Sequence, residues 1–293
     1  MTTTDELIEV SGTTEPIDGE TGNETGAEVN AETNSETDAE LDERAVARRA
    51  LRELVRMEAR LAWREPAGPI FGIGLPVLLL VIFGNISSFR QPIAQYGGLT
   101  VLQVYLPLLI VMSLSLFGVI VLPIPLANYR EQRILRRLAT TPISPASLLG
   151  AQLIVVAAMA LTAIGLMLGI GAGLFGLAMP RQSAGFAVTV LLGMAGLSSM
   201  GLWIAAVARS GRGAQIIGAG VFYPMQFLAG MWLPQQMMPS VLRDISEYSP
   251  LGALVNSIQS TVTGSFPSAR ELLVLAGYAA VFGCLSVRQF SWE

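Results

Sequence analysis

The sequence predicts an all-α polytopic membrane protein, with six transmembrane helices preceded by an amphipathic helix at the membrane interface. Three observations carry this reading. The chain is 52% hydrophobic over 293 residues, too apolar for an ordinary soluble domain of that length. Charge vanishes from long stretches: residues 91–129 and 138–180 contain none. The cations that remain are all arginine, 18 in number, with no lysine and no histidine.

The first element is a tail, residues 1–43, rich in Thr, Glu, Asp, Gly and Asn. It holds 14 of the 22 acidic residues and no base, so the remainder of the chain carries a net +10. With almost no large apolar side chain to bury, it is expected to stay unfolded. It has neither a basic start nor an apolar run, so it does not read as a signal peptide.

Residues 44–65 change character. Arg48, Arg52, Arg56, Arg60 and Arg64 recur every four residues, with Leu51, Leu54, Val55 and Leu61 on other faces. This is the pattern of a basic helix lying in an anionic interface, with Leu51 and Leu54 toward lipid and the arginines toward headgroups. Pro66 and Pro69 end it.

Residues 66–293 form the membrane domain. A crossing helix needs roughly 20 apolar residues, and six stretches qualify: 67–86, 100–122, 148–170, 185–207, 214–233 and 271–287. The second is expected to stop at Pro123 and Pro125. The third continues apolar to about residue 178, and the sixth is the shortest. Residues 234–269 are amphipathic and proline-punctuated, and read as short helices at the outer interface, partly re-entrant. With the N-terminus inside, 14 arginines fall on cytoplasmic segments and four on outer ones, which orients the chain with both termini in the cytoplasm of a multi-pass plasma-membrane protein.

Composition also excludes chemistry. Without lysine there is no P-loop, so the chain does not hydrolyse ATP in the usual way. Without histidine there is no histidine base or metal ligand. Cys284 is single and reads as a small buried hydrophobe. No ionisable group lies inside the first five spans, which argues against proton-coupled transport. Gly165, Gly169 and Gly173 form a ridge suited to close helix approach. Gln103, Ser113, Phe222, Met225 and Gln226 supply a mixed polar and apolar set that fits a route for a lipophilic substrate.

Between the second and third spans stands "NYREQRILRRLATTPISPASLLG", residues 128–150. It reads as a short cationic helix over 129–138 that also exposes leucines and is stopped by prolines, the mixture of a protein-docking surface. This stretch resembles the cytoplasmic signature of ABC-2 type permeases, the membrane subunits of ATP-driven exporters, nearest to their antibiotic-resistance (daunorubicin-type) branch. The basic helix before the first span, Pro76, and "MWLPQQMMPSVLRDISEYSPLGALVNSI" extend the likeness over roughly 45–290.

The resemblance implies a six-helix subunit working as a dimer with a second permease copy. A separate ATP-binding subunit would dock on each cytoplasmic face. Coupling to it would fall on Arg130, Glu131, Ile134, Leu135, Arg137, Leu138, Thr141 and Pro142. ATP and magnesium would belong to the partner, and no cofactor to this chain. Membrane lipid is the other partner implied, and nucleic acid is not. Two alternatives stay open: a secondary transporter using polar groups such as Gln103, Ser113, Ser115 and Gln226, and a non-transporting membrane scaffold.

Overall fold

Helix follows helix along the chain, and two of the longest are reshaped by proline. The structure is a computed structural model and describes residues 49–62, 64, 67–93, 98–132, 145–233 and 235–289. The expectations for the acidic tail, for Arg48 and for Ile134, Leu135, Arg137, Leu138, Thr141 and Pro142 lie outside the described residues. Among the described residues there is no strand, only an isolated bridge between Pro92 and Thr100.

The helices are α1 (49–62), α2 (Ala67–Asn85), α3 (Val101–Glu131), α4 (Pro145–Phe175), α5 (Ser183–Val207), α6 (Gly211–Ala229), α7 (Ser240–Tyr248), α8 (Pro250–Thr263) and α9 (Ala269–Gln289). Five of them, α2, α3, α4, α5 and α9, are long and apolar enough to cross a membrane. Helix α6, expected as a span over 214–233, is not among the five. It ends at Gly230 in a left-handed turn, φ 96°, and carries Arg212, Gln215 and Gln226.

One correction concerns proline. The second span does not stop at Pro123 and Pro125 but continues to Glu131. A π-helical stretch, Leu116–Val121, precedes the prolines. There the Leu122 N–H bonds the Phe117 carbonyl at 3.0 Å rather than that of Gly118. Pro123 has no N–H to offer Val119, so the missing donor falls where the ladder is already displaced. The Gly118 and Val119 carbonyls thus leave the usual ladder. Both are met by glycines of neighbouring helices. A Cβ on Gly201 of α5 would overlap the Gly118 oxygen, and one on Gly218 of α6 would come within 2.7 Å of the Val119 oxygen. Where lipid is as apolar as leucine, such close approach is what holds helices together.

Helix α2 repeats the device. A π-helical turn, Ile70–Gly74, precedes Pro76, which cannot donate to the Gly72 carbonyl four residues earlier. The Ser113 hydroxyl of α3 donates to that carbonyl instead, at 2.6 Å.

Leu80, Leu109, Phe117, Leu197, Ile204, Leu251 and Leu254 lie in one buried cluster, with α3 as its centre. Helix α8 belongs to this core and not to the surface. A Cβ on Gly193 would meet Leu254 at 2.7 Å, and Gly193 lies ten residues into α5, about 15 Å from its start. At its other end the Thr261 carbonyl accepts from the Gln182 N–H at 3.1 Å, at the beginning of α5. Helix α8 therefore packs along the first half of α5. The space is available because α6 has 19 residues against 25 in α5, roughly 9 Å less.

Two side-chain expectations are also corrected. Leu54 is buried against Leu148 and Ala151, with Leu51, Val55 and Tyr129 around it, so this face of α1 meets protein rather than lipid. Arg52, Arg56, Arg60 and Arg64 do stand exposed, and Arg56 pairs with Glu53 at 2.6 Å. Cys284 is exposed rather than buried, because α9 packs only one side on α5 and α8. The ridge of Gly165, Gly169 and Gly173 meets nothing within 4 Å in the chain.

Candidate functional site

The last turn of α3 gathers four polar residues, Asn128, Tyr129, Arg130 and Glu131, and the structure gives each a place. Residues 129–131 are the end of the long α3 helix, not the beginning of a separate one, and the rest of the expected 129–138 helix lies outside the described residues.

Helix α5 ends at Val207 and α6 begins at Gly211. The end of α5 leaves carbonyls without helical donors, and the start of α6 leaves N–H groups without acceptors, so the two termini carry partial charges of opposite sign. Arg130 and Glu131 match that pair. One Arg130 guanidinium nitrogen, Nη1, donates to the Ala205 carbonyl at 2.9 Å and to that of Ala206 at 2.7 Å. Glu131 Oε2 accepts the Gly211 N–H at 3.2 Å. Ser210 completes the start of α6, its hydroxyl accepting the Gly213 N–H at 3.0 Å. Gly211 is required here, since a Cβ would collide with the Asn128 carboxamide. Two adjacent residues of α3 thus grip both ends of one interhelical turn.

On the other side of the same turn of α3, Tyr129 donates its hydroxyl to Glu58 Oε1 at 2.7 Å. Glu58 is 2% exposed. Burial pushes its carboxyl above the usual range, and the hydrogen bond from Tyr129 offsets part of that. Helix α1 is therefore fastened to α3 next to the Arg130 and Glu131 grip. The sequence reading did not single out Glu58. Its only sequence signal is an acid in a basic helix, eight residues before the closing prolines.

The five residues expected on a substrate route are not brought together. Gln103 closes a capping box at the start of α3, exchanging hydrogen bonds with Thr100 at 2.9 and 3.2 Å. Ser113 is fully buried on the Gly72 carbonyl. Gln226 is buried and donates to the Ser115 hydroxyl at 3.3 Å, and that hydroxyl donates to the Met112 carbonyl. Phe222 is buried, edge-on to Tyr223 at 5.4 Å. Met225 borders a groove of about 500 Å³ that it shares with Leu228, Asp244, Ile245, Tyr248, Ser249, Pro250 and Tyr278. The exposed residues of α6 are Arg212, Gln215, Ile216, Gly220, Tyr223 and Pro224.

A bundle of apolar helices, five of them long enough to cross a membrane, and a charged helix end gripping an interhelical turn define a multi-pass membrane protein. The ABC-2 type transporter family model matches residues 49–262, from α1 to the last turn of α8, and the chain belongs to that family. No curated protein matches it. It is a permease component of an ABC-type transporter; such domains are transport components rather than enzymes, and typically work with an ATP-binding subunit.

Proposed function

We propose that this permease exports a lipophilic substrate, such as a drug, antibiotic, lipid or glycan, across the cytoplasmic membrane. Energy comes from ATP hydrolysed with magnesium on a separate subunit docked on the segment from Arg130 to Pro142. Its termini lie in the cytoplasm, α6 counts as the fifth of six spans, and two copies pair to form the route. The observation that carries this reading is the double grip of Arg130 and Glu131 on the α5–α6 turn. A displacement of the segment that follows Glu131 reaches both helices through these bonds, so a stroke at the docking segment moves α6.

Chemistry supports a lipophilic cargo. Ile216 and Tyr223 are the large exposed hydrophobic side chains of α6, beside the exposed Arg212 and Gln215, and no acid or arginine interrupts the interior of α2, α4 or α5. A charge-free secondary transporter is less well supported, because Ser113, Ser115 and Gln226 spend their hydrogen bonds inside the bundle.

The test is crosslinking from Leu135→Cys and Leu138→Cys, in a Cys284→Ala background, to a co-expressed ATP-binding subunit. Crosslinks that come and go with ATP support docking at this segment. Uptake that persists with the partner's ATPase inactivated overturns the ATP-driven reading.

A further inference from the structure

We propose that α3 is jointed: its first part, Val101–Ser115, is anchored in the bundle, and its last residues, 122–131, swing as a lever about the π-helical stretch Leu116–Val121. This rests on the permease reading and says where a stroke bends the subunit.

Side-chain bonds hold the part of α3 before the joint. The Ser113 hydroxyl donates to the Gly72 carbonyl of α2 at 2.6 Å, and Gln226 of α6 donates to the Ser115 hydroxyl at 3.3 Å. Residues 106–115 are buried without a break. After the joint, the bonds go to other places. Tyr129 donates to Glu58 of α1, while Arg130 and Glu131 hold the end of α5 and the start of α6.

The joint itself is built differently. Three successive residues, Phe117, Gly118 and Val119, each meet a glycine on a different helix. A Cβ on Gly72 of α2 would come within 2.4 Å of the Phe117 ring. One on Gly201 of α5 would overlap the Gly118 oxygen, and one on Gly218 of α6 would stand 2.7 Å from the Val119 oxygen. Helices that meet at glycine cross at their closest approach. A rotation about such a crossing moves the touching atoms least and the far ends most.

The hydrogen-bond ladder is weak at the same point. The Leu122 N–H has shifted to the Phe117 carbonyl at 3.0 Å, and Pro123 has no N–H to give. Bending a regular helix breaks or stretches its ladder, whereas a π-helical stretch beside a proline is already offset and short of a donor. Helix α2 carries its own π-turn, Ile70–Gly74, and Gly72 within it is the residue under Phe117, so the two irregular turns face each other.

Helix α6 fits this motion. It is bonded to the lever at Gly211 and to the anchored part at Gln226, and it touches the joint between them, at Gly218. When the lever swings, α6 rocks about Gly218. The lever of ten residues is about 15 Å long, so a tilt of about 15° carries its tip about 4 Å. The rival arrangement is a static bulge that only accommodates Pro123, with α3 behaving as one rod.

The test has two arms, both on the full-length protein. In hydrogen–deuterium exchange, amides of residues 118–122 should exchange roughly tenfold or more faster than those of residues 108–112. Equal exchange in the two stretches overturns the joint. This arm needs neither transport nor a partner, so it still decides the joint if no ATP-binding subunit associates and the permease reading falls. The second arm uses spin-label pairs in a Cys284→Ala background, with the co-expressed ATP-binding subunit free or trapped with ADP and vanadate. Met57, Leu78, Leu191 and Val207 are exposed and take the labels as cysteine variants. The distance from Met57→Cys to Leu78→Cys spans the joint and should change by about 4 Å, by the lever arithmetic above. Leu78→Cys to Leu191→Cys, on the anchored side, should hold constant. So should Met57→Cys to Val207→Cys, on the lever side. Three pairs that all change alike, or none that changes, make α3 a rod and overturn the proposal.

Discussion

Tyr129 and Glu58 meet at 2.7 Å across 71 residues of sequence, joining the amphipathic helix α1 to the end of α3 beside the Arg130 and Glu131 grip. Because burial raises the Glu58 carboxyl above its usual 4.5, the folded protein binds a proton there more tightly than the unfolded chain does. Stability at this site is therefore greatest at low pH. It falls as pH rises from the usual carboxylate value through the raised one, where the buried charge must be carried. Glu58→Gln, which keeps an acceptor for Tyr129, should flatten that slope. Melting curves at about pH 5 and about pH 8 check it, the variant losing less stability than the parent between the two.

Arg130→Ala removes the donor from two terminal carbonyls of α5 and should cost about 2 kcal/mol. Glu131→Gln retains an acceptor for the Gly211 N–H but loses the charge facing the helix start, and should cost less than about 1 kcal/mol. If the pair transmits the stroke, both variants still insert and still support partner ATPase activity, while export per ATP falls. Parallel measurement of ATPase rate and substrate efflux in proteoliposomes decides this. Equal loss of both rates would make the pair a stability feature only.

Gly201→Ala drives a methyl group onto the Gly118 carbonyl, which is backbone and cannot swing aside. The expected cost is roughly 1–3 kcal/mol, as for overpacking elsewhere. Gly165→Ala, where a Cβ meets nothing, should be neutral within the subunit. Thermal stability of the two purified variants, side by side, gives the comparison.

Ser113→Ala leaves the Gly72 carbonyl buried with neither Pro76 nor a hydroxyl to satisfy it. A loss of about 1 kcal/mol is expected, and substrate selectivity should not change, because Ser113 is sealed in the bundle. A shift in the substrate range of Ser113→Ala at unchanged stability would return this residue to the route.

The residues alone determined the class of protein and most of its helices. Whether a stretch is long and apolar enough to cross a membrane is a local property. Charge-free runs therefore gave α2, α4 and α5 within a few residues of their observed limits, together with the start of α3, and the arginine spacing gave α1. The charged patch between the second and third spans was also legible, as a cluster of charge between apolar runs. The continuation of α3 past Pro123 was not, because the π-helical stretch that accommodates the proline is stabilised by contacts with Gly201 and Gly218 on other helices. Nor was the direction in which Arg130 and Glu131 point. Their partners are the Ala205 and Ala206 carbonyls and the Gly211 N–H, and these become available only when two helices end side by side some 75 to 80 residues further along the chain. Likewise Ser113 and Gln226 read as route residues until packing supplied Gly72 and Ser115. Hydropathy is summed along the chain, whereas a buried hydrogen bond is settled by whatever the fold brings within 3 Å of it.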